Sequence, residues 1–573
     1  MVYIIGVRSR GKNMKYENVL SLLEEITINN GEKVSLGIKT KWGWNEFTYK
    51  GLGLLSRRLG AYLIDDLKVQ RGDRLAILSE SKPEYGACVF GSVLAGMTTV
   101  PLDNKLTIFE MYSILSDCEP AVILCSSSYI EKAKELKNKI PSIKHIILMD
   151  ASVYEDINIP SLYSLPENYN SKWRRRPLSA TAFIIYTSGT TGAPKGVEIT
   201  FKNMLSQMHD LRLALKQILG NRQNMRMLSI LPMNHLFELT VGFFIFLHHG
   251  YSIHYPQSLK PKDIMEVMSE KKVRFMITVP AFMKLLKSSI ETEINKKSPL
   301  VKTVFNMNLK LAKLLPLTMR KHLFKPIHAK FGGEFFGCIT GGAPLDPIVG
   351  DFFENIGIRV YQGYGLSETS PVVAVNRGKY FDNKSVGPVL DSYEAKIDET
   401  TGELLLKGPS VMKGYYKRED LTAEVLEPDG WLHTGDIARI NKHGLVYITG
   451  RIKNMIVLSG GKKVFPEEVE TVLEQSKNFA EVCVSGMARS FGEKDGCEEI
   501  VAIIVPTADY AQNFKDFSQM EKAVKDEVKK LSTQLAPYKR PINILVREES
   551  LPRTTTRKLK RNEIKKILCE CSK

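Results

Sequence analysis

Short apolar segments alternate with longer helix-forming segments through most of this chain, and this alternation constrains its fold more than any other feature. Apolar runs that close on Gly, Pro, Ser or Thr are typical of buried strands that feed loops. Strands alternating with helices favour an α/β fold built on parallel sheets. The predicted strands are Leu75–Leu78, Thr99–Leu102, Ala121–Cys125, His145–Met149, Ala182–Tyr186, Met227–Leu231, Tyr251–Tyr255, Phe275–Val279, Phe336–Thr340 and Arg359–Tyr361.

The pattern changes after Lys384, where glycines separate short alternating runs such as Glu403–Leu406 and Leu445–Ile448. Such runs are typical of antiparallel hairpins and predict a β-rich subdomain near residues 384–450. Beyond Gly450 the pattern is that of a compact α+β unit with a helix entered at Pro466.

We therefore expect a large N-terminal domain of two stacked α/β subdomains plus the β-rich subdomain, followed by a small mobile α+β C-terminal domain. The predicted boundaries assign residues 1–45 to an N-terminal segment that packs on the main domain. Residues 46–451 form the main domain and residues 452–573 the C-terminal domain.

The composition excludes several classes of protein. With 573 residues the chain is far too long for a small scaffold held by disulfides or metal ions. Its eight cysteines are scattered, without a CxxC pair, which predicts neither disulfides nor structural zinc and favours a reducing, cytoplasmic compartment. The 80 Lys and Arg exceed the 63 Asp and Glu by 17, but the excess is spread along the chain and is the only feature that favours nucleic-acid binding.

The sequence predicts contact with a membrane surface rather than a segment that spans the membrane. Spanning requires about 18 consecutive apolar residues, and the most apolar stretch, Leu239–Leu247, ends at His248. Residues 294–330 carry nine Lys and Arg, no Asp or Glu, and apolar residues between them. This pattern favours peripheral association with the inner face of an anionic membrane, and an ordinary surface helix pair is the alternative.

A loop rich in hydroxyls and glycines follows the predicted strand Ala182–Tyr186 and reads T-S-G-T-T-G-A-P-K-G from Thr187 to Gly196. Glycines allow backbone N–H groups to turn toward an anion, hydroxyls add donors, and Lys195 adds a positive charge, so the loop suits a polyphosphate. It is not a Walker A motif, because Ala193 and Pro194 separate Gly192 from the lysine. The alternative is an ordinary surface loop.

This loop resembles the signature of the AMP-forming adenylating superfamily of acyl-CoA synthetases, peptide-synthetase adenylation domains and beetle luciferases. Further segments similar to the superfamily's motifs follow in order along residues 45–570. They are Leu231–Leu236, Gly341–Leu345, Gln362–Glu368, Gly402–Leu404, Gly414–Tyr416, Thr434–Asp436, Gly450–Glu470 and Pro552–Arg561.

The resemblance implies how ATP and Mg²⁺ would be held. The phosphate loop would hold the β- and γ-phosphates, Glu368 with a hydroxyl such as Thr187 or Ser188 would hold Mg²⁺, and Ser367 would touch the α-phosphate. The loop residues implied in phosphate binding are Thr187, Ser188, Gly189, Thr190, Thr191, Gly192 and Lys195.

The same resemblance implies the nucleoside site. The turn Gly341-Gly342-Ala343 and Tyr364, which precedes Gly365 in its motif, would sandwich the adenine, and Asp436 would accept hydrogen bonds from the ribose hydroxyls with Arg451 assisting. Taken singly, Asp436 is equally an ordinary turn residue and Tyr364 an ordinary core aromatic.

Catalysis is implied for Lys558, Lys195 and Glu368. Lys558 would stabilise charge between the carboxylate and the α-phosphate, although Arg557 stands where glycine is common in the superfamily and a basic run is usually a solvated face. Lys453 would be the hinge that rotates the small domain, and Gly460 and Gly461 would line the channel for the pantetheine of coenzyme A.

Long-chain enzymes of the superfamily resemble this chain more closely than the peptide-synthetase domains do. His235, also counted in the nucleotide site, and Phe237 lie where the superfamily gates its acyl tunnel, and Val241–Leu247 would line it; simple core packing is the alternative. The expected function is ATP- and Mg²⁺-dependent activation of a long-chain fatty acid to acyl-AMP, then thioester formation with coenzyme A. Two alternatives stay open: transfer to the phosphopantetheine of an acyl carrier protein, and a catalytically weak nucleotide- or acyl-binding protein.

Overall fold

The structure, a computed structural model, describes residues 19–150, 159–167, 171–187, 194–458, 462–488, 498–553 and 559–571. The structure has two large, mainly parallel sheets, a smaller antiparallel sheet and a C-terminal unit with sheets of its own, as the fold-class prediction required. That prediction is confirmed.

One sheet has eight strands in the order β14-β13-β12-β11-β9-β10-β1-β2. All its neighbouring strands are parallel except the edge pairs β1–β2 and β13–β14, which are antiparallel. Its strands are β1 (Val34–Thr40), β2 (Gly43–Thr48), β9 (Arg226–Ser229), β10 (Ser252–Tyr255), β11 (Phe275–Thr278), β12 (Gly337–Thr340), β13 (Arg359–Tyr364) and β14 (Ala374–Val375).

A second sheet has seven strands in the order β18-β8-β7-β4-β3-β5-β6. It is parallel from β6 to β7, and β8 and β18 add two antiparallel pairs at its edge. Its strands are β3 (Arg74–Leu78), β4 (Thr98–Leu102), β5 (Val122–Cys125), β6 (His145–Leu148), β7 (Thr181–Thr187), β8 (Lys195–Thr200) and β18 (Gly414–Tyr415).

The β-rich region forms an antiparallel sheet in the order β15-β20-β19-β17-β16, and the C-terminal unit has a two-stranded and a three-stranded sheet. The first five strands are β15 (Gly387–Pro388), β16 (Glu394–Ile397), β17 (Glu403–Lys407), β19 (Leu432–Ile440) and β20 (Leu445–Arg451). The C-terminal strands are β21 (Ile456–Val457), β22 (Lys463–Val464), β23 (Phe479–Ala488), β24 (Glu498–Pro506) and β25 (Asn543–Val546).

Helices cover the sheets, and their starts follow ordinary capping rules. Thr200 and Asn203 form a reciprocal capping box at the start of α6, and proline opens α3, α8, α9 and α10. The helices are α1 (Val19–Asn30), α2 (Tyr49–Asp65), α3 (Pro83–Leu94), α4 (Ile108–Cys118), α5 (Ile130–Lys139), α6 (Phe201–Leu219), α7 (Phe246–His248), α8 (Pro261–Glu270), α9 (Pro280–Asn295), α10 (Pro299–Ala312), α11 (Leu317–Leu323), α12 (Lys325–Lys330), α13 (Pro347–Asn355), α14 (Glu419–Val425), α15 (Pro466–Leu473), α16 (Ala508–Ala511), α17 (Phe517–Ser532) and α18 (Arg561–Cys571). None in the described ranges is both long and apolar enough to cross a membrane.

The two large sheets share one hydrophobic core. Phe90 of α3 lies 5.7 and 5.6 Å, between ring centroids, from Phe243 and Phe244 of the π-helical segment Glu238–Ile245, and Phe244 also contacts Phe183 of β7. These rings are buried. The same buried cluster contains Phe183 of β7 and Phe275 of β11, so the two sheets pack against a common core.

The hairpin β1–β2 was not predicted. β1 pairs in parallel with β10, which lies more than 200 residues later in the chain, and this contact adds the first strands to the eight-stranded sheet. The predicted boundary between residues 45 and 46 falls within β2. The sequence does not reveal such a pairing, because a strand's partner depends on chain folding rather than on its own alternation.

Candidate active site

The carboxyl ends of β12 and β13 bring the turn Gly341–Ala343 and Tyr364 together. β12 and β13 are parallel neighbours, with Thr340 paired to Gln362, so the residues that follow them emerge at the same edge of the sheet. Gly342 has φ of +81°, a conformation that favours glycine, and no other atom lies within 4 Å of the position that a Cβ would take. The turn therefore offers an open backbone surface close to the Tyr364 ring.

Tyr364 is tied to a buried carboxylate on another sheet. Its hydroxyl donates a hydrogen bond of 2.6 Å to Oδ2 of Asp436, which lies on β19 and is 1% exposed. Nε of Arg451 is 2.7 Å from Oδ1 of Asp436, and the two residues are paired between β19 and β20. A carboxylate oxygen has two lone pairs, so Oδ1 can accept a hydrogen bond from a ligand hydroxyl while it is paired with Arg451.

Burial and charge set the protonation of this pair. Burial raises the pKa of Asp436, and Arg451 and the Tyr364 hydroxyl partly offset that effect by favouring the ionised form. Burial and the neighbouring Asp436 raise the pKa of Tyr364 well above its ordinary value. Tyr364 therefore remains a hydrogen-bond donor at physiological pH.

A second group of polar side chains lies around Glu368. The hydroxyl of Tyr415 donates a 2.8 Å hydrogen bond to Oε1 of Glu368, and Nζ of Lys195 lies 5.1 Å from the centroid of the Tyr415 ring. The backbone N–H of Met412 donates to the carbonyl of Glu368 at 2.8 Å. These contacts bring the predicted Lys195 and Glu368 close to each other.

Tyr415 is the site residue that sequence reasoning missed. The strand that carries it, β18, pairs antiparallel with β8 and so leaves the β-rich region for the edge of the seven-stranded sheet. The Gly-Tyr-Tyr motif was a usable signal, but no role was assigned to it. Burial and Glu368 raise the Tyr415 pKa, so its hydroxyl stays protonated.

The phosphate-loop prediction falls mostly outside the described residues. Thr187 ends β7 and Lys195 begins β8, and the two residues are paired across an antiparallel hairpin. The intervening Ser188, Gly189, Thr190, Thr191 and Gly192 lie outside the described residues, as do Gly460, Gly461 and Lys558. Their roles remain predictions.

Gly365 and Ser367 follow β13 directly. A Cβ at Gly365 would lie 1.9 Å from the carbonyl oxygen of Pro371, so only glycine fits at this position without a shift of the backbone. Ser367 is half-buried and begins the 3-10 turn Ser367–Thr369 that carries Glu368. The close backbone approach thus sets where this turn, and with it the Glu368 carboxylate, begins.

Lys453 belongs to the short turn Ile452–Asn454 that follows β20. Burial and the like charge of Arg451 lower its pKa, while Asp436 and Glu368 act in the opposite direction. The ammonium group is therefore within electrostatic reach of both polar groups of the site.

An apolar cavity abuts this site. Side chains of α6, the π-helical segment and the strand ends line a small cavity of about 20 Å³, which has room for about one water molecule. Phe237 lines the cavity on one side, and a Cβ on Gly341 would lie 3.3 Å from its ring, so Phe237 separates the cavity from the glycine turn. His235 lies two residues before Phe237, at the start of the same helical turn. The lining residues are Leu211, Ala214, Leu215, Ile218, Phe237, Val241, Ile245, Ile339, Gly363, Val372 and Val375.

The arrangement has the groups for a nucleotide and an acyl chain side by side. A ring can stack on Tyr364 beside a glycine turn, hydroxyls can reach Asp436, and anionic groups can meet Lys195. Within the described part of the chain, no three His, Cys, Asp or Glu side chains are grouped to hold a metal ion. A hard cation here would rest on Glu368 and on oxygens of the ligand itself.

Two family models match the chain. The one described as AMP-binding enzyme matches residues 29–416, and the one described as AMP-binding enzyme C-terminal domain matches residues 468–558. Together these matches extend over both predicted domains.

Named relatives are similar over most of their length. The long-chain-fatty-acid CoA ligase of Salmonella typhimurium is 27% identical, over 96% of this chain and 94% of its own. Long-chain-fatty-acid CoA ligase 5 of Rattus norvegicus is 28% identical, over 83% of this chain and 72% of its own. The solved structure of o-succinylbenzoate CoA synthetase from Bacillus subtilis, in complex with its acyl-adenylate intermediate, is 25% identical with a TM-score of 0.72, covering 95% of this chain and 97% of that one.

Replacing Gly365 by alanine should destabilise the protein by about 1–3 kcal/mol or more, because the new methyl group would overlap the Pro371 carbonyl and force the backbone apart. The matched control is Gly31→Ala, whose Cβ would lie 3.6 Å from the Thr27 carbonyl oxygen, an ordinary contact. Thermal unfolding of both variants checks this. Equal melting temperatures for the two would contradict the tight approach at Gly365.

Proposed function

Because the chain belongs to the family of AMP-binding enzymes, we propose that it joins a long-chain fatty acid to coenzyme A in two ATP-driven steps. It is an AMP-forming ligase that uses ATP, Mg²⁺ and coenzyme A. The chain length of the acid and the residues that act on it are the parts that we propose.

The apolar lining behind Phe237, together with the long-chain-fatty-acid CoA ligases among the relatives, carries the proposal of a fatty acid; the cavity would have to widen to admit an alkyl chain. Its lining is almost wholly hydrocarbon, and an alkyl chain gains about 0.8 kcal/mol for each CH₂ that it buries. Gly363 lines the cavity directly before Tyr364, so an acyl chain inside it would present its carboxylate toward the nucleotide site. His235 and Phe237 would form the gate between the two spaces.

The nucleoside would occupy the edge formed by β12 and β13. We assign the adenine to the space between Gly341–Ala343 and the Tyr364 ring, and the ribose hydroxyls to Asp436 with Arg451 beside it. The support is a carboxylate that is 1% exposed and held by Tyr364 and Arg451, because its oxygens keep lone pairs that can accept from ligand hydroxyls.

The triphosphate would lie between Lys195 and Glu368, with Thr187 and the loop after it around the β- and γ-phosphates and Ser367 at the α-phosphate. The residues fit Mg²⁺, which keeps several waters and takes one or two carboxylates plus phosphate oxygens rather than a cage of protein ligands. Glu368, with Thr187 or Ser188, would hold it. Bound there, the ion would neutralise charge on the phosphates.

In the first step an oxygen of the fatty-acid carboxylate attacks the α-phosphorus, the bond from that phosphorus to pyrophosphate breaks, and acyl-AMP forms. Lys195 and Lys558 would stabilise the negative charge that gathers around the phosphorus. In the second step the sulfur of coenzyme A attacks the acyl carbon, its proton is released, and the bond to AMP breaks. The Lys453 hinge would reorient the C-terminal domain between the steps, and Gly460 and Gly461 would line the pantetheine channel.

We also propose that residues 294–330 bind an anionic membrane, where fatty acids partition. Phe305 and Leu309 pack α10 onto the protein, and Phe305 lies 5.6 Å from Phe324 between ring centroids. The opposite face exposes an apolar stripe, Leu300, Val304, Met307, Leu311 and Leu314, which are 74, 41, 58, 44 and 82% exposed. Lys302, Lys310 and Lys313 flank the stripe, as in helices that lie in a bilayer interface.

Pyrophosphate release from ATP and Mg²⁺ should require a fatty acid of about 12–18 carbons, because the free energy gained by burying an alkyl chain in a tunnel opened behind Phe237 grows with each CH₂. Release should rise with coenzyme A and collapse in Lys558→Ala and Asp436→Asn. The measurement is release across a series of acids, with and without coenzyme A. Pyrophosphate release that does not depend on coenzyme A would instead favour an acyl carrier protein as acceptor. ATP binding without pyrophosphate release would indicate a nucleotide-binding protein rather than a ligase.

Ala214→Phe should shorten the preferred acid, because a phenyl ring at this position on α6 would fill part of the cavity. We expect kcat/KM for a long acid to fall about tenfold or more, a loss of at least 1.4 kcal/mol, with little change for a short one. Ala508→Phe, on exposed α16, is the matched control. An equal loss for all chain lengths would contradict the assignment of the cavity to the acyl chain.

The triple variant Leu300→Asn, Met307→Asn, Leu314→Asn should lose binding to vesicles that contain anionic lipid, since it removes the three most exposed side chains of the stripe. Replacing Lys310, Lys313, Arg320 and Lys321 by Glu should do the same through charge. The control replaces three exposed apolar residues outside the stripe by Asn. They are Ile28, Phe109 and Ile542, which are 77, 80 and 68% exposed. Co-sedimentation unaffected by either test variant would overturn this proposal.

A further inference from the structure

His433 lies between two carboxylates, beside the residue that we assign to the ribose. Its Nδ1 is 2.9 Å from Oε2 of Glu403, and its Nε2 is 2.8 Å from Oε1 of Glu427. Glu403 is on β17 and nearly buried, whereas Glu427 is in the loop between α14 and β19 and is partly exposed. Both ring nitrogens of one imidazole therefore face a carboxylate oxygen.

This geometry requires a charged histidine. A neutral imidazole has one N–H donor, so one of its nitrogens would direct a lone pair at a carboxylate, whereas an imidazolium donates to both. Burial lowers the pKa of His433, but the hydrogen bonds and charges of Glu403 and Glu427 outweigh it and raise the pKa above the ordinary 6.5.

Glu403 connects this ion pair to Asp436. Its second oxygen, Oε1, accepts a 2.7 Å hydrogen bond from the backbone N–H of Gly435, the residue before Asp436. The hydroxyl of Thr434 donates to the Leu404 carbonyl at 2.7 Å and accepts from the Asp436 N–H at 3.1 Å. Gly435 has φ of +69°, so the turn adopts a conformation that needs such support.

We propose that His433, through Glu403, is a positioning residue that holds the Gly435 turn so that the Asp436 carboxylate is ready for the ribose hydroxyls of ATP. His433 touches no reacting atom and acts only through Glu403. This inference rests on the proposed nucleotide site and adds that the affinity of the site for nucleotide depends on the charge of one histidine.

Few other titratable groups face His433. Asp398 lies before β17 and is near enough for the histidine's charge to favour its ionised form. The nearby lysines of β16 and β17 are directed to other partners, with Lys396 4.1 Å above the Trp431 ring and Lys407 3.9 Å from Asp429. The local balance is thus three carboxylates around one cation, which favours the imidazolium.

The expected pH dependence follows from the raised pKa of His433. The imidazolium is fully present below pH 6.5, and it is lost as pH rises through the raised pKa. Without that proton one carboxylate contact is lost and Glu403 is free to move away from Gly435. Nucleotide affinity should therefore fall on the alkaline side, whereas the rate of the chemical step should change little.

The test is calorimetric binding of AMP to the full chain between about pH 6.5 and 9.5, a range across which the histidine loses its proton. Wild type should bind about tenfold more weakly at the alkaline end, or about 1.4 kcal/mol. His433→Gln should bind weakly at every pH. His433→Arg, a permanent cation with donors for both carboxylates, should bind well at every pH. His443→Gln, at an exposed histidine after β19, should match wild type.

Steady-state kinetics on the same variants separates positioning from stability. His433→Gln should raise the KM for ATP with kcat nearly unchanged, and His433→Arg should restore it. A lower melting temperature with unchanged AMP affinity would overturn the inference alone, because it would reduce His433 to a structural residue. Wild type that binds no AMP at any pH would overturn the proposed function and this inference with it.

Discussion

The hydrogen bond from Tyr364 to Asp436 joins the two parts of the molecule on which the site depends. Tyr364 ends a strand of the large parallel sheet, and Asp436 lies on the antiparallel sheet. A buried carboxylate is stable only when it is paired, so the aromatic face, the acid and Arg451 are held as one unit. Strands from separate regions of the chain thus build the site that we propose for the nucleoside.

An apolar cavity lies next to these polar groups. Phe237 contacts the cavity on one side and approaches Gly341 on the other, where the absence of a side chain permits the contact. In the proposed function this cavity would widen to take a hydrocarbon chain whose carboxylate lies at the polar edge. The apolar walls would then supply binding free energy, and the polar edge would position the carboxylate for the reaction.

Charged side chains lie in three places at increasing distance from the proposed phosphate site. Lys195 and Glu368 are at the edge where phosphates would lie, with Tyr415 between them. His433 and its two carboxylates lie one layer away, behind the Gly435 turn. The basic flanks of α10 lie on the outer surface, beside an apolar stripe. In our proposals these groups would act over different ranges: by direct contact with phosphates, by support of a turn, and by attraction to an anionic surface.

The sequence by itself determined the α/β class, the strands that end at the site and the identity of most of its side chains, because strand periodicity and short motifs are local properties. Only the tertiary structure decided which segments meet. Gly414–Tyr415 pairs with β8 at the edge of the seven-stranded sheet, and there the Tyr415 hydroxyl contacts Glu368. β1 pairs with β10, and distant elements line the cavity. Such contacts depend on long-range packing, which no local pattern encodes.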